Sequence, residues 1–374
     1  MQVSVNIVCL DVPYPANYGG AINMFHKIRW LHNKGVIIYL HCFEYGNRTA
    51  TSELNKFCKE VTYYKRNTGI GSFISSLPYN VKSRISSQLK QNLLKNNYPI
   101  IFEALHTCYL LKDDAFKNRK KIFRESNIEH EYFYHLAKNE KHILKKLYLY
   151  KEAFKLKRFE SIVTKSNLML VVSTEDEKHF KDKYPGNKVS YLPSFHQNDE
   201  VLVGEGTSDY LLYHGNLSVS ENYMAADWLI DNVFSKITYK VIIAGLNPPK
   251  FLKEKIARFQ HISLKENCTR EQMDTLIHNA QIHCLYTSQA TGLKLKLLNV
   301  LFKGRFVIVN NNLLHGTDLN NCCIVANSPS QYIEAIHENF VLPYNHELLA
   351  KRVNDLNQFQ NSLNCDSLIN FIKN

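Results

Sequence analysis

The chain has 374 residues, 45% of them hydrophobic and 21% charged, so it is too long for one small module and too apolar for a disordered or fibrous protein. Its formal net charge is +12 and the excess is confined to one half: residues 1–195 hold 31 Lys and Arg against 17 Asp and Glu, whereas residues 196–374 hold 15 against 17. A single-sign field over the first half implies an anionic partner there, whether nucleic acid, phospholipid or a phosphorylated substrate.

The first residues, QVSVNIVCL, show neither a basic leader nor a small-residue cleavage site, so they read as a strand rather than a secretory signal, and the expected location is cytoplasmic. No apolar run approaches the roughly 18–20 residues of a membrane-crossing helix, so any membrane contact is expected to be peripheral. The nine cysteines are an odd number without a C-x-x-C pair; they are expected to be buried and reduced, and no metal site is expected.

In chain order, VSVNIVCL is the first expected strand, PYPANYGG a turn-rich loop, AINMFHKIRWLHNKG a helix ended by Gly35, and VIIYLHCF the next strand. Together they make a βαβ unit, the building block of a doubly wound parallel sheet. Further strands are expected at Val61–Tyr64, Pro99–Leu105, Lys121–Arg124 and Leu168–Ser173. Between the last two lies a long basic stretch, Glu129–Lys165, where Ile143, Leu147, Tyr150 and Phe154 recur at helical spacing among Lys145, Lys146, Lys151, Lys155, Lys157 and Arg158. From Pro193 to Asp209 the periodicity is lost and Gly, Ser, Asp and Glu accumulate, which marks an interdomain linker. The alternation then restarts with YLLYHGN as a strand breaking at Gly215, ENYMAADWLIDNVF as a helix and YKVIIAG as a strand stopping at Gly245. A strand at Ile282–Tyr286, a helix at Leu293–Phe302, a strand at Phe306–Val309, and IVANS followed by a helix at Pro329–Asn339 complete the pattern. Two Rossmann-like α/β halves are therefore expected, with a cleft between them and a site on the loops that leave the carboxyl ends of the strands.

Three of these segments together resemble the retaining glycosyltransferases of family 4: the Gly-Gly loop after the first strand, HGNLS opening the second half, and GLKLKLLNVLFKGRFVIV near its end. In the last, Gly292, Leu295, Lys296, Gly304 and Val307 match in register the family pattern G-x-x-L-K-x-x-E-A-x-x-x-G-x-P-V. The segment NIEHEYFYHLAKNEKHILKKLYLYKEAFKLKRFE is also similar to one in a bacterial subgroup that reads like HNIEHDYY. The resemblance covers essentially the whole chain and implies the GT-B fold, an α/β architecture of two Rossmann-like domains facing a central cleft. On that reading residues 1–195 are the acceptor-binding domain, 196–355 the nucleotide-sugar donor domain, and 356–374 a terminal helix crossing back to the first. The implied activity is transfer of a hexose, with retention, from a nucleotide-sugar donor to a glycan or lipid-linked acceptor in surface polysaccharide or glycoconjugate synthesis. The nucleoside diphosphate sugar is a substrate, and neither cofactor nor metal is implied.

In such a transferase negative charge grows on the departing pyrophosphate, so positively polarised donors are needed there. A glycine-bearing loop ahead of a helix supplies backbone N–H groups and a favourable dipole. Gly215-Asn216, Thr291-Gly292 and Gly19-Gly20 are the candidate loops, with ordinary strand-to-helix turns as the alternative for each. Lys296 matches the family lysine and is the expected cation; Lys294, two positions away, would point about 200° around a helix. The family's Glu-x7-Glu pair falls on Thr291 and Asn299, which can bond sugar hydroxyls but carry no charge. The Arg and Lys usual after the second-domain glycine turn are also absent, with Asn216 and Glu221-Asn222 in that region. In the first half, His106 resembles the strand-end histidine placed over the donor sugar, and Glu103, Asn127, Glu129 and His130 are acceptor-side candidates. No side chain is assigned as a nucleophile.

Other classes fit less well. Neither half has the G-x-G-x-x-G of a dehydrogenase or a P-loop, and Glu175-Asp176-Glu177, the nearest approach to a D-x-D metal motif, reads as an exposed helix start. Nothing resembles a groove-reading motif, so nucleic acid is not an expected partner. The basic half is expected instead to meet an anionic membrane from its cytoplasmic side through Lys138–Lys165. The alternative from another class is a catalytically inactive sugar-nucleotide-binding or scaffold protein of the same fold, because two acidic positions are gone.

Overall fold

The structure, a computed structural model, describes residues Gln2–Ser288 and Leu295–Asn374; Thr291, Gly292 and Lys294 lie outside the described residues. The chain divides into two compact units, Met1–Gln197 with Asn361–Asn374, and Asn198–Gln360.

The first unit is built on seven strands: β1 (Ser4–Cys9), β2 (Ile37–Glu44), β3 (Glu60–Lys65), β4 (Ile100–Glu103), β5 (Lys121–Arg124), β6 (Leu168–Val171) and β7 (Val189–Tyr191). They run parallel in the order β3-β2-β1-β4-β5-β6-β7. Alternation along β1 shows how both faces are buried: Val5, Ile7 and Cys9 pack with Ile28 and Leu31 of helix Gly19–Asn33, while Val8 turns to the other face with Leu89, Leu93 and Leu156. Helix Gly19–Asn33 stops where Gly35 takes a φ of +77° and donates its N–H to the His32 carbonyl at 2.8 Å, a termination that favours glycine. The basic stretch forms two helices, Glu129–Asn139 and Ile143–Phe159, the second capped by His142. Its buried residues include Leu149, Ala153 and Leu156, whereas Ile143, Leu147 and Phe154 of the apolar series seen in the sequence are exposed.

Helix Asn361–Lys373 is part of this unit. Cys365, Leu368 and Ile372 join the core beside Ile28 and Leu31. Its first residue is tied to the segment before the second unit: Asn361 accepts from the His196 N–H at 3.1 Å and donates to the His196 carbonyl at 2.7 Å.

The second unit repeats the plan with six strands: β8 (Tyr210–Gly215), β9 (Lys240–Gly245), β10 (Ile262–Glu266), β11 (Ile282–Cys284), β12 (Phe306–Val309) and β13 (Ile324–Val325). All pairs are parallel, in the order β10-β9-β8-β11-β12-β13. Two glycines allow close approaches that no side chain could share. A β-carbon at Gly245 would lie 2.1 Å from the Gly215 carbonyl oxygen, and one at Gly304 would lie 2.1 Å from Nε2 of His283. The match of Gly304 to the family pattern thus has a packing reason. Two strands escape the sequence pattern, β7 and β10, and each is an edge strand. An edge strand needs no long apolar run, because one side of its ladder is unpaired.

Among the described residues no helix is long and apolar enough to cross a membrane, and no group of three or more His, Cys, Asp or Glu could hold a metal ion.

Two stability predictions follow from this packing. Gly304→Ala forces a methyl group into the His283 ring and lowers stability by about 1–3 kcal/mol, read as a fall in the urea midpoint. Burial pulls His41 and His283 down to about 3, and His214 well below the ordinary imidazole value. Unfolded, these rings take up protons below about 6.5. The unfolded state therefore binds more protons between that value and 3, and stability falls as pH is lowered through this window. The urea midpoint is expected to drop between pH 7 and pH 5, and a His41→Gln variant to show a shallower drop.

Candidate active site

In each sheet the strand order reverses beside the first strand of the unit, between β1 and β4 and between β8 and β11. Loops leaving the carboxyl ends there part to opposite faces and open a crevice.

In the first unit this crevice is ionic. Asp11 follows β1, and its carboxylate accepts a hydrogen bond from the Tyr18 hydroxyl. The Arg48 guanidinium lies 4.6 Å from the centre of the Tyr18 ring and donates to the carbonyls of Val12 at 2.8 Å and Pro15 at 2.9 Å, which fixes the loop. Burial raises the Asp11 pKa, against the pull of Tyr18, Arg48, Arg84 and Arg66. Burial also pulls Arg84 down to about 9, with Arg66 acting in the same direction. Arg84 is anchored by the Leu10 carbonyl at 2.7 Å and the Asn80 carbonyl at 2.7 Å, and Arg66 by Ser83 Oγ at 2.8 Å. Gly19-Gly20 opens helix Gly19–Asn33, whose first turn has neither a side-chain cap nor an acidic residue. A β-carbon at Gly20 would lie 2.8 Å from the Tyr18 ring, so this glycine makes room for the tyrosine that holds Asp11.

The strand-end residues of β4 separate into two roles. Glu103 is buried and its carboxylate meets the Lys27 ammonium at 2.5 Å, joining β4 to helix Gly19–Asn33 inside the core. The next residue, Ala104, has φ +60° and ψ 159°, a conformation almost confined to glycine, and its N–H is held by the Arg124 carbonyl at 2.8 Å. This turn presents His106, whose Nε2 lies 3.2 Å from the Glu129 carboxylate. His106 and Glu129, far apart in sequence, are thus brought into contact beyond β4, without a hydrogen bond between them. Asn127 is half-buried in the bend between β5 and helix Glu129–Asn139. His130 points elsewhere: its Nδ1 is 2.9 Å from Glu160, which also takes Lys183 at 2.5 Å and Tyr184 at 3.2 Å. Burial alone would raise the Glu160 pKa, but the hydrogen bonds of His130, His179 and Lys183 hold it well below the carboxylate range. His130 is therefore a structural tie.

In the second unit the described residues of the corresponding crevice are mostly neutral. β8 ends at Gly215, where a β-carbon would lie 3.1 Å from the Asn222 side chain. Asn216 Oδ1 accepts from the Ser218 N–H at 3.1 Å and its hydroxyl at 2.7 Å, shaping the turn into helix Ser220–Asn232. Asn222 donates to the Asn216 carbonyl at 3.0 Å and accepts from the Lys296 ammonium at 3.2 Å. That ammonium also lies 5.2 Å from the centre of the Tyr213 ring. Beyond β11, Thr287 donates to Glu221 at 2.8 Å. Asn299 is half-buried three positions after Lys296 on helix Leu295–Lys303, hence on a neighbouring face. The structure thus gathers Gly215, Asn216 and Lys296 at one helix N-terminus, an arrangement suited to an anionic group.

Sequence reasoning missed Asp11, Tyr18, Arg48, Arg66 and Arg84. Asp11 and Arg66 had a signal, since each falls within two residues of a strand end; Arg84 had none. The two carboxylates make a testable contrast. Glu103→Gln strands the Lys27 ammonium in the core and costs about 3–5 kcal/mol in urea unfolding, while Glu129→Gln keeps its shape and shifts stability by about 1 kcal/mol or less.

No protein-family model matches the chain. A Klebsiella pneumoniae protein described as an uncharacterized 44.6 kDa protein in the cps region is 24% identical over 340 residues, covering 86% of each chain. Among solved structures, the UDP-forming α,α-trehalose-phosphate synthase of Burkholderia xenovorans in complex with glucose-6-phosphate aligns with a TM-score of 0.61 over 100% of both chains at 9% identity. The sucrose-phosphate synthase of Thermosynechococcus elongatus gives 0.61 over 98% of this chain and 95% of its own, at 11% identity. An Escherichia coli trehalose-6-phosphate protein bound with UDP-2-fluoro glucose gives 0.61 over 99% of both, at 9% identity. With its two parallel sheets, each of Rossmann-like order, the chain has the GT-B fold of these sugar-nucleotide glycosyltransferases.

Proposed function

We propose that the protein is a glycosyltransferase that moves a hexose from a nucleoside diphosphate sugar to a glycan or lipid-linked acceptor, with retention and without a metal ion. The observation that carries this reading is the convergence of Lys296, Asn216 and the N-terminus of helix Ser220–Asn232 at the strand-order reversal of the second unit. The second unit then binds the donor and the first the acceptor. As the bond to the anomeric carbon breaks, charge collects on the leaving phosphate. The Lys296 ammonium and the helix N–H groups are already oriented to receive it, so little reorganisation accompanies the step. Asn299 supplies neutral hydrogen bonds to sugar or ribose hydroxyls. In the first unit His106, beside Glu129, positions the reacting hydroxyl, and the departing phosphate takes up the acceptor proton. The cps-region relative supports surface polysaccharide as the setting.

A second reading, a non-catalytic sugar-nucleotide-binding protein, is favoured by one observation: the helix bearing Lys296 presents the amide of Asn299 where the family pattern has a carboxylate. Thermal shift with a panel of nucleoside diphosphates and their sugars identifies the donor, since a ligand selective for the folded state raises the melting point. With that donor, Lys296→Ala is expected to lower turnover about a hundredfold or more while the protein remains folded. Donor binding without hydrolysis or transfer in the wild type, and turnover created by Thr291→Glu with Asn299→Glu, would establish the second reading instead.

A further inference from the structure

We infer that the first unit carries a docking surface for an anionic phospholipid bilayer, formed by the short helix Ile70–Ile74 and the outward face of helix Ile143–Phe159. Nine large apolar side chains among the described residues are more than 55% exposed, and six of them lie here: Ile70 at 80%, Ile74 at 76%, Leu144 at 70%, Ile143 at 64%, Phe154 at 62% and Leu147 at 58%. Exposed apolar residues scattered singly need no explanation, but a concentration of this kind marks an interaction surface. The two helices are neighbours, because the Phe73 ring lies 5.2 Å from that of Tyr148. Tyr134, half exposed, lies 5.5 Å from Tyr150 and extends the surface to helix Glu129–Asn139.

Helix geometry explains why these side chains are not core. At 3.6 residues per turn, Ile143, Leu144, Leu147, Lys151, Phe154 and Arg158 fall within about 100° of arc. The buried Leu149, Ala153 and Leu156 lie on the opposite side. The helix is therefore apolar twice over, with one side seated on its own unit and the other turned outward.

The surrounding charge selects the occupant. Residues 129–158 hold eight Lys and Arg against four Glu. Lys145 pairs with Glu140 at 2.6 Å, whereas Lys138, Lys141, Lys146 and Lys151 meet no carboxylate among the described residues. Apolar side chains ringed by lysines suit an interface where the former enter the acyl boundary and the latter meet anionic headgroups. A nucleic acid would satisfy the lysines and leave the apolar side chains in water. A second copy would bring the same lysines against these, setting like charges together. This inference stands apart from the glycosyl-transfer reading, since no residue of the candidate active site takes part in it.

Vesicle flotation tests it. The full chain is expected to float with phosphatidylglycerol–phosphatidylcholine vesicles and not with pure phosphatidylcholine, and to be released in part by high salt. The triple substitution Ile74→Ser, Leu144→Ser, Leu147→Ser, and separately Lys141→Glu with Lys146→Glu, should each lower the bound fraction about tenfold. These positions are exposed, Lys146 in part, and none is in the buried core, so both variants should keep the wild-type melting temperature and its shift with nucleoside diphosphate. Wild type that stays unbound at low and high salt overturns the inference, as do variants that bind like wild type. Lipid-free dimerisation of wild type that the serine variant abolishes also overturns it, because the surface is then a contact between copies.

Discussion

Parallel pairing governs everything else in this molecule. When every neighbouring pair of strands points the same way, no segment can simply turn back beside its predecessor; each must leave one end of the sheet, cross a face and re-enter at the other. The first strand of each unit then finds its successor on one side and the later strands on the other. Crossings on its two sides cover opposite faces, and the loops at its carboxyl end have nothing between them. Asp11 and Gly19-Gly20 come from the β1 loop, His106 from the β4 loop, Asn216 from β8 and Thr287 from β11. Groups nearly a hundred residues apart in the chain are thus delivered to one rim, without any local motif that would announce them.

The two rims have different chemistry. In the first, three arginines gather around one buried carboxylate, and each guanidinium is braced by backbone or hydroxyl oxygens. Such a site has strong fields and rigid geometry. In the second, amides and hydroxyls predominate among the described residues, and the lysine is directed by Asn222 and the Tyr213 face. A hydroxyl-rich ligand is recognised there chiefly by direction, because neutral hydrogen bonds are weak individually and lose most of their strength when misaligned.

Most of the fold is legible from the sequence because the central strands are short apolar runs, and the helices between them carry a regular buried stripe. The edge strands β7 and β10 are not, since they need few apolar residues and have little to distinguish them from loops. Candidate site residues were legible where they follow a strand end, as at Asn216 and His106, or match a family pattern, as at Lys296. They were illegible where a residue's role depends on what crosses above it. Nothing in the sequence separates Glu103, which neutralises a lysine inside the core, from Glu129, which lies against an imidazole at the rim; both are glutamates that follow or end a strand. The same limit applies to helix Ile143–Phe159, where one apolar periodicity is buried and a second is not.

The return of helix Asn361–Lys373 to the first unit makes the second unit, in topology, an insertion between Gln197 and Asn361. During synthesis the amino-terminal sheet emerges first, yet part of its core, at Cys365, Leu368 and Ile372, is made last. The second unit is complete in sequence before the first can close its hydrophobic face. The usual order in which domains mature from the amino terminus is thereby inverted, and the first-made sheet waits with apolar surface open to water or to a chaperone.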